Sequence, residues 1–307
     1  MLKAIHKDLH PLLKVAEWLL IMLVCTLIVF ALWYLLPVNH AATGSLLLFQ
    51  ALQAIGLFIV PALIVAYLWN SEPLAWLHLG GAHSDGSQGR DGYMILLSVG
   101  VIVTAIPLIN CLVSWNKMLT LPDSLSALEQ LMQQMEEQAE RLLQGFLTYR
   151  NGVWWVLLLN LLILAVLPAI GEELTFRGVL QTLMTERHHS VMGNHLAVWV
   201  TAFIFSFVHF QFYGFLPRML LGAVLGYALL WSGRISYSMI MHATNNALSV
   251  LVFYLGTYVW NFSQTDIDAL GTGDTWWLTL LCTPLMCVFL YLFYARARTK
   301  QHLPPAV

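Results

Sequence analysis

The chain has 307 residues, of which 59% are hydrophobic and only 10% are charged. Soluble domains carry about 25% charged residues, so this composition excludes an ordinary soluble globular protein. The net charge of −2 provides no basic surface, and we therefore expect no nucleic-acid partner. All four cysteines lie in apolar runs without metal-site or disulfide spacing. The composition predicts a polytopic membrane protein in contact with the lipid bilayer.

Apolar segments of about 20 residues can cross a bilayer as helices, because unpaired backbone groups are too costly in lipid. Eight such spans are predicted, at 15–37, 46–69, 93–115, 153–172 with an extension to 187, 195–213, 215–232, 236–257 and 275–295. The span at 215–232 is the weakest, because it is short and Arg218 lies near its start. The predicted fold class is all-α: a polytopic membrane helical bundle with about eight transmembrane helices.

The distribution of basic residues predicts the orientation, because lysine and arginine mark cytoplasmic flanks. Basic residues precede the first span and follow the last one, namely Lys3, Lys7, Lys14, Arg296, Arg298 and Lys300. We therefore expect both termini in the cytoplasm, together with the loops at 83–92 and 188–194. The loop at 258–274 has three aspartates and no basic residue, which predicts an outer loop. The expected location is a bacterial inner membrane.

One segment differs from the spans. From Leu125 to Phe146, apolar residues recur every three or four positions with glutamates between them, which is typical of an amphipathic helix. We predict this helix over 124–148 on the outer face. It could lie on the membrane surface, pair with a second copy or pack on the bundle, which is the favoured interpretation. The predicted organisation is one integral membrane domain in three parts: 1–150, a catalytic core at 151–257, and 258–307.

Two adjacent carboxylates, Glu172 and Glu173, follow a membrane-length apolar run. A charge at bilayer depth costs roughly 2.5–3.5 kcal/mol on insertion scales, so such residues are functional by default. Adjacent helical residues point about 100° apart, so the two glutamates have different roles. Arg177 follows Glu173 by four residues, which favours a structural pair and leaves Glu172 free. Alternatively, Pro168 and Gly171 end the helix and Glu172 lies at the cytoplasmic interface.

Two histidines complete the polar set of the second half. His209 ends an apolar stretch, and His242 precedes Asn246 by four residues, on the same helical face. A lone histidine in such a run is more often a packed core residue. If 188–194 is a turn, Glu172 and His209 both lie about 22 Å from it along their helices, while His242 and Asn246 lie about 10 and 16 Å from their own turn. These depths agree within one or two helical turns, which allows a common site.

This set of side chains suits hydrolysis of an amide bond. A free glutamate and a histidine in a wet cavity can polarise a water molecule. A second histidine and an asparagine amide can donate hydrogen bonds to a developing oxyanion. Zinc bound by Glu172, His209 and His242 is an alternative, although the HExxH signature is absent. The expected cofactor is therefore none or a divalent metal such as zinc.

Three motifs carry a family resemblance: EELTFR at 172–177, FSFVH at 205–209 and HATNN at 242–246. They resemble the EExxxR, FxxxH and HxxxN motifs of the CAAX prenyl protease and bacteriocin-processing family. This is the Abi group of intramembrane proteases, which includes the type II CAAX prenyl endopeptidase. The resemblance covers about residues 150–255 and implies an eight-helix bundle with its site in a membrane cavity.

The resemblance also implies roles for individual residues. Glu172 and His209 would activate the water molecule, and His242 and Asn246 would stabilise the oxyanion. Glu173 and Arg177 are similar to the supporting pair of the family. Because the family has been described both as metalloproteases and as glutamate-dependent proteases, the use of a metal stays open.

The sequence thus predicts an intramembrane endopeptidase that cleaves a peptide or a membrane-associated protein. Prenylated substrates are not expected in a bacterium, and the oligomeric state is open. One alternative is a non-enzymatic membrane partner or immunity factor whose polar site is structural. A proton-coupled transporter that uses Glu172 and His209 is a weaker alternative, because the chain shows no internal repeat.

Overall fold

The structure is a computed structural model that describes residues 3–80, 88–187, 190–260 and 269–301. Within these ranges the chain forms helices and no strand, which confirms the predicted all-α class. The longer helices, in chain order, are α1 (Pro11–Leu35), α2 (Thr43–Trp69), α3 (Gln88–Asn116), α4 (Ser126–Leu147), α5 (Trp154–Glu186), α6 (Val191–Phe207), α7 (Phe215–Ser232), α8 (Ile235–Leu255) and α9 (Trp276–Gln301).

Helices occupy all eight predicted spans. Among the described residues, six helical segments are long and apolar enough to cross a membrane, namely Pro11–Leu35, Thr43–Trp69, Gly92–Asn116, Trp154–Glu186, Phe215–Ser232 and Gly273–Arg298. They include the span that is weakest by sequence. Two of the eight predicted spans are not among these six segments. They are α6, which is apolar but has only 17 residues, and α8. Helix α6 leads to His209 and α8 carries His242, whereas the two glutamates lie in α5, one of the six membrane-length apolar segments.

Helix α6 ends earlier than predicted. It stops at Phe207 rather than at 213, and Phe210 adopts a left-handed backbone conformation with φ of 52°, which a continuing right-handed helix does not allow. The span predicted to reach 213 is therefore wrong. Residues 208–214 form a loop, called the His209 loop below, and His209 lies in this loop rather than inside a helix.

Helix α5 continues to Glu186, which confirms the predicted extension of the fourth span. The alternative in which Pro168 and Gly171 end this helix is wrong. The helix instead changes its winding twice, with π-helical segments at Leu161–Val166 and Leu174–Gln181. A π-helical segment rotates the side chains that follow it and is frequent at functional sites. Glu172 and Glu173 end the short α-helical stretch between these two segments.

The ends of the helices gather on two opposite faces of the bundle. On one face, Ala4 donates its backbone N–H to the Tyr67 carbonyl at 3.0 Å, and Trp76 Nε1 donates to Glu186 Oε1 at 2.7 Å. These contacts bring together the N-terminal segment, the end of α2 and the end of α5. We call this the terminal face.

The opposite face carries the His209 loop and helix α4, and we call it the site face. Asn116, at the end of α3, donates its side-chain amide to the Phe212 carbonyl at 2.5 Å. Gln133 of α4 donates to the Tyr213 hydroxyl at 2.8 Å. The predicted loops at 83–92, 188–194 and 258–274 lie partly outside the described residues.

Helix α4 confirms the amphipathic helix predicted over 124–148, and it contacts the bundle. Its last turn is buried, because Phe146 packs with Leu47 and Ile163, and Asn160 donates its amide to the Phe146 carbonyl at 3.0 Å. The rest of its predicted apolar seam is only partly covered, and Leu128 is 46% exposed. The favoured prediction, packing on the bundle, is confirmed for the C-terminal end and for the polar contacts with the His209 loop.

Candidate active site

A close approach of α5 to α2 positions the two glutamates. A Cβ atom at Gly171 would lie 2.9 Å from the Phe58 Cβ and 3.0 Å from the Ala54 carbonyl oxygen, so only glycine fits there. Both contacts belong to a π-helical segment of α2, Ala54–Ile59. One turn later, Thr175 donates its hydroxyl to the Phe58 carbonyl at 3.2 Å. The register of α5 against α2 is therefore fixed on both sides of Glu172.

Glu173 and Arg177 form a fully buried ion pair. Arg177 Nη1 donates to Glu173 Oε1 at 2.7 Å, and both side chains are 0% exposed. Arg177 Nη2 donates to the Gly222 carbonyl at 2.8 Å, and the guanidinium lies 4.6 Å from the centroid of the Phe205 ring. A buried charge is tolerated only when it is paired and hydrogen-bonded. Glu173 Oε1 and both terminal nitrogens of Arg177 have such partners, whereas Glu173 Oε2 and Arg177 Nε have none among the described residues. The i,i+4 pair predicted from the sequence is present.

Glu173 has a second contact that the sequence did not indicate. His242 Nδ1 lies 2.8 Å from Glu173 Oε1, and because a carboxylate only accepts, Nδ1 carries the proton and donates. The other ring nitrogen, Nε2, lies 3.7 Å from Glu172 Oε2. Glu173 therefore connects the Arg177 guanidinium to His242 and fixes the ring with Nε2 directed at Glu172.

Glu172 and His209 face each other across a small gap. Glu172 Oε2 lies 3.9 Å from His209 Nε2, and their side chains are 15% and 28% exposed. Glu172 Oε2 itself is buried and has no hydrogen-bond partner in the described part of the chain. His209 Nδ1 donates to the Phe205 carbonyl at 2.7 Å, so Nε2 presents its lone pair to the gap. The structure thus brings three of the predicted residues, Glu172, His209 and His242, together at one point.

The aromatic residue of the second motif connects these elements. The Phe205 ring centroid lies 4.9 Å from that of His209 and 5.8 Å from that of His242, both edge to face. Phe176 packs against the same ring at 5.2 Å. Phe205 therefore orients both histidines through its ring, and it anchors His209 a second time through its backbone carbonyl.

Asn246 lies one turn after His242 on α8 and is half-buried. Its Oδ1 accepts a hydrogen bond from Asn245 Nδ2 at 3.2 Å, which leaves the Asn246 Nδ2 group as the donor. This assignment of the amide fits an oxyanion donor. The catalytic role of Asn246 stays a prediction.

The backbone carbonyls of two glycines in α7 accept hydrogen bonds from polar side chains of α5. In addition to the bond from Arg177 to Gly222, Gln181 donates its amide to the Gly226 carbonyl at 3.0 Å. A Cβ atom at Gly226 would lie 2.8 Å from Gln181 Oε1 and 3.0 Å from a Val198 methyl group. Gly222 and Gly226 have the GxxxG spacing that allows close helix packing in membranes. This contact was not predicted from the sequence, although the GxxxG spacing was a signal for it.

Sequence reasoning also missed the role of Arg218, which it treated only as a weakness of a span. Arg218 Nη2 donates to Gln211 Oε1 at 2.6 Å, and the guanidinium interacts electrostatically with Glu172 and Glu136. Glu136 belongs to α4, and its Oε2 accepts from the Tyr213 backbone N–H at 3.1 Å. The His209 loop is therefore held from α4 as well as from α7.

A polar cavity of about 380 Å³ lies between α4 and the His209 loop. Its lining is largely acidic: Lys117, Gln133, Glu136, Glu137, Glu140 and Tyr213. The polar side chains that line this cavity therefore lie beside the loop that carries His209.

Fold and site together define a polytopic helical membrane protein with a glutamate and two histidines at a semi-enclosed polar centre. Residues 153–248 match the family model described as type II CAAX prenyl endopeptidase Rce1-like. The matched range contains all three motifs and confirms the resemblance predicted from them. No curated protein and no solved structure matches the chain. The family match supports an intramembrane endopeptidase of the CAAX type in general, and the apolar helices support an integral membrane protein.

Proposed function

We propose that this protein is an intramembrane endopeptidase in which Glu172 and His209 activate one water molecule for attack on a peptide bond. The observation that carries the proposal is the convergence of a partnerless Glu172 Oε2 with two imidazole Nε2 atoms, at 3.7 and 3.9 Å. Glu172 and neutral His209 present only acceptors to the gap. Acceptors that face each other require a donor between them, and water supplies two.

The separation of these acceptors suits a shared water molecule. Two acceptors that each bind the same water at about 2.8 Å lie roughly 4–4.5 Å apart, close to the 3.9 Å between Glu172 Oε2 and His209 Nε2. When the water molecule directs one proton at Glu172 Oε2 and the other at His209 Nε2, a lone pair of its oxygen is free to attack the carbonyl carbon of a substrate. Glu172 takes the proton as the bond forms and returns it to the departing amine as the amide bond breaks.

His242 and Asn246 are proposed as donors to the oxyanion. His242 Nδ1 already donates to Glu173, so Nε2 donates only when the imidazole carries a second proton. Glu172 and Glu173 place two carboxylates beside this ring. Asn246 presents its Nδ2 group on the same face of α8, one turn away. Donors fixed in advance typically contribute about 2.7–4 kcal/mol each to such a transition state.

A divalent metal held by Glu172, His209 and His242 is the alternative activator. Two ligands bound tetrahedrally to zinc at its usual bond lengths lie about 3.3 Å apart, closer than the 3.7 and 3.9 Å separations here. In the described ranges, no group of three or more histidine, cysteine or acidic side chains is arranged to hold a metal ion. These separations support a proposal without a metal, so none of the steps above uses one. Zinc stays a prediction that chelation tests.

The proposed substrate is a peptide or a membrane-associated protein, since the site lies within a bundle of helices that are apolar enough to cross a membrane. We further propose a bacterial inner-membrane location with the terminal face in the cytoplasm, supported by the basic residues that flank α1 and α9. In that membrane a prenylated substrate is not expected.

The test uses the full chain, purified and reconstituted in lipid nanodiscs. It is incubated with a peptide library in H₂¹⁸O, and the products are analysed by mass spectrometry. We expect new C-termini that carry one ¹⁸O atom, with the same products when a strong chelator is present. The matched control is Glu172→Gln, which should keep its thermal unfolding midpoint and form no product.

Two results would contradict the proposal. If the wild-type protein cleaves no peptide and no membrane-protein substrate, the non-enzymatic alternative is favoured. If the Glu172→Gln variant gives the same products as the wild type, Glu172 is not the base. Loss of activity with the chelator, restored by added zinc, would replace the metal-free mechanism by the metal alternative.

A further inference from the structure

Helix α4 has three distinct arcs around its axis. At 100° per residue, one arc faces the bundle and is half-buried, another is polar and exposed, and a third is apolar and exposed. The bundle arc contains Met132, Gln133, Glu136 and Ala139. The polar arc contains Gln130, Gln134, Glu137 and Arg141. The apolar arc contains Leu128, Leu131, Met135 and Leu142, each between 39% and 52% exposed.

This arrangement differs from that of an amphipathic helix on a soluble protein, which buries its apolar arc against the core. Here the bundle arc has a polar centre, because Gln133 and Glu136 bind Tyr213 of the His209 loop. The apolar arc is left on the outside. A helix that meets protein, water and an apolar medium on three sides lies where the bundle, the aqueous phase and the lipid meet.

The neighbouring span ends place α4 at the depth of the membrane interface. Trp115 near the end of α3 is 53% exposed, and Trp154 at the start of α5 is 69% exposed. Exposed tryptophans are enriched at the membrane–water boundary. Since α4 connects these two helices in the chain, it lies at the same end of the bundle as these tryptophans.

We propose that α4 is an interfacial anchor: its apolar arc inserts into the headgroup–acyl boundary of the bilayer, and its polar contacts hold the His209 loop in place. The occupant of the exposed arc is lipid, not a second copy of the chain. Lipid contact on one side of α4 thereby sets the position of the loop that presents His209 on the other side. The proposed effect of α4 on the site depends on the proposed endopeptidase function, whereas the insertion of α4 into lipid does not.

The first experiment measures insertion without using activity. A fluorophore is attached to Leu131→Cys, or to Gln134→Cys as the control on the polar arc, in a full-length chain whose four native cysteines are replaced by alanine. The protein is placed in phosphatidylcholine nanodiscs that contain nitroxide-labelled lipid. We expect the lipid nitroxide to quench the probe at 131 several-fold more than the probe at 134. Equal quenching at both positions, or energy transfer between two copies labelled at 131, would overturn the proposal.

The second experiment tests the effect on the site. Leu131→Asp should lower kcat/KM at least about fivefold, the lower end of ordinary coupling between two sites. Gln134→Asp should leave kcat/KM unchanged, and both variants should keep the thermal unfolding midpoint, because neither side chain lies in the core. An unchanged kcat/KM in Leu131→Asp would overturn the link between the anchor and the site. Failure of the wild-type protein to cleave any peptide would instead reject the endopeptidase function and leave the quenching result valid.

Discussion

Glu172 and Glu173 are consecutive in the chain, but they belong to two very different sides of the site. Glu173 lies on a closed side, with no exposed surface and with contacts to Arg177 and His242. Glu172 lies on an open side, where Oε2 has no hydrogen-bond partner among the described residues and the nearest groups are two imidazole nitrogens.

The difference shows how a membrane protein can hold one carboxylate in a buried ion pair and leave its neighbour in the chain facing a gap. The closed side fixes the rotamer of His242 and the register of α5 against α7 at a high cost in desolvation. Its ion pair offsets that cost only in part, because Glu173 Oε2 and Arg177 Nε have no hydrogen-bond partner among the described residues. The open side contains Glu172 Oε2 and His209 Nε2, which face each other across a gap, together with a loop that is held from α4 and α7. Changes on the closed side should act mainly on folding, and changes on the open side mainly on turnover.

After Glu172→Gln, for which no product is expected, the largest effect is expected from His209→Ala on the open side. Removal of the acceptor at Nε2 should lower kcat by about 10²- to 10⁴-fold, the usual contribution of general acid–base groups. The unfolding midpoint should change little, since His209 lies in a loop. Steady-state cleavage assays and thermal unfolding in the same nanodiscs provide the two measurements. His195→Ala, which removes an exposed histidine bound to Tyr227, is the matched control.

Arg177→Met on the closed side should reduce the free energy of unfolding by about 3–5 kcal/mol, because it leaves Glu173 buried without its cation. Chemical denaturation in mild detergent measures this change. Arg141→Met removes an exposed guanidinium 3.5 Å from Glu137 and should cost less than about 1 kcal/mol. Similar costs for the two arginines would show that the closed side is not a buried ion-pair network.

A larger side chain at the contact between α5 and α7 tests how much the close packing on the closed side contributes to stability. Gly226→Ala adds a methyl group 2.8 Å from Gln181 Oε1, so we expect a loss of about 1–3 kcal/mol in unfolding free energy. Gly145→Ala is the control, because a Cβ atom there meets nothing within 4 Å. Its replacement by alanine in a helix should stabilise by roughly 0.5–1 kcal/mol. If Gly226→Ala is neutral, the close packing at this position does not contribute to stability.

The smallest effect is expected from Glu136→Gln, which keeps the shape of the α4 contact and removes its charge. The bond to the Tyr213 N–H should weaken by about 1 kcal/mol, the difference between charged and neutral acceptors, and kcat/KM should fall about fivefold. Glu137→Gln on the polar arc is the control and should have no effect on turnover. Equal kinetics for the two variants would show that α4 does not hold the His209 loop.

The sequence predicted the closed side well, because its elements are local. The four-residue spacing of Glu173 and Arg177 determines a shared helical face whatever surrounds it, and the pair is present at 2.7 Å. The different surroundings of Glu172 and Glu173 follow from the same helical geometry. The three-motif resemblance is confirmed by the family match over residues 153–248.

Other features depend on tertiary contacts that periodicity does not encode. The end of α6 at Phe207 follows from a loop held by Asn116 and Glu136, far away in the chain, so apolar character alone extended this helix too far. The π-helical segments of α5 and the bond from Glu173 to His242 have no local signal either. For α4, apolar residues at every third or fourth position cannot show whether that face contacts a protein core or lipid, because both environments accept the same apolar side chains.

The central claim is that one water molecule is activated by Glu172 while Glu173 only supports the site. The most direct measurement compares Glu172→Gln and Glu173→Gln for product formed per folded molecule at equal lipid composition. We expect no product from folded Glu172→Gln, and residual turnover from the folded fraction of Glu173→Gln, whose unfolding free energy falls by about 3–5 kcal/mol. Turnover by Glu172→Gln at the wild-type rate would contradict the account.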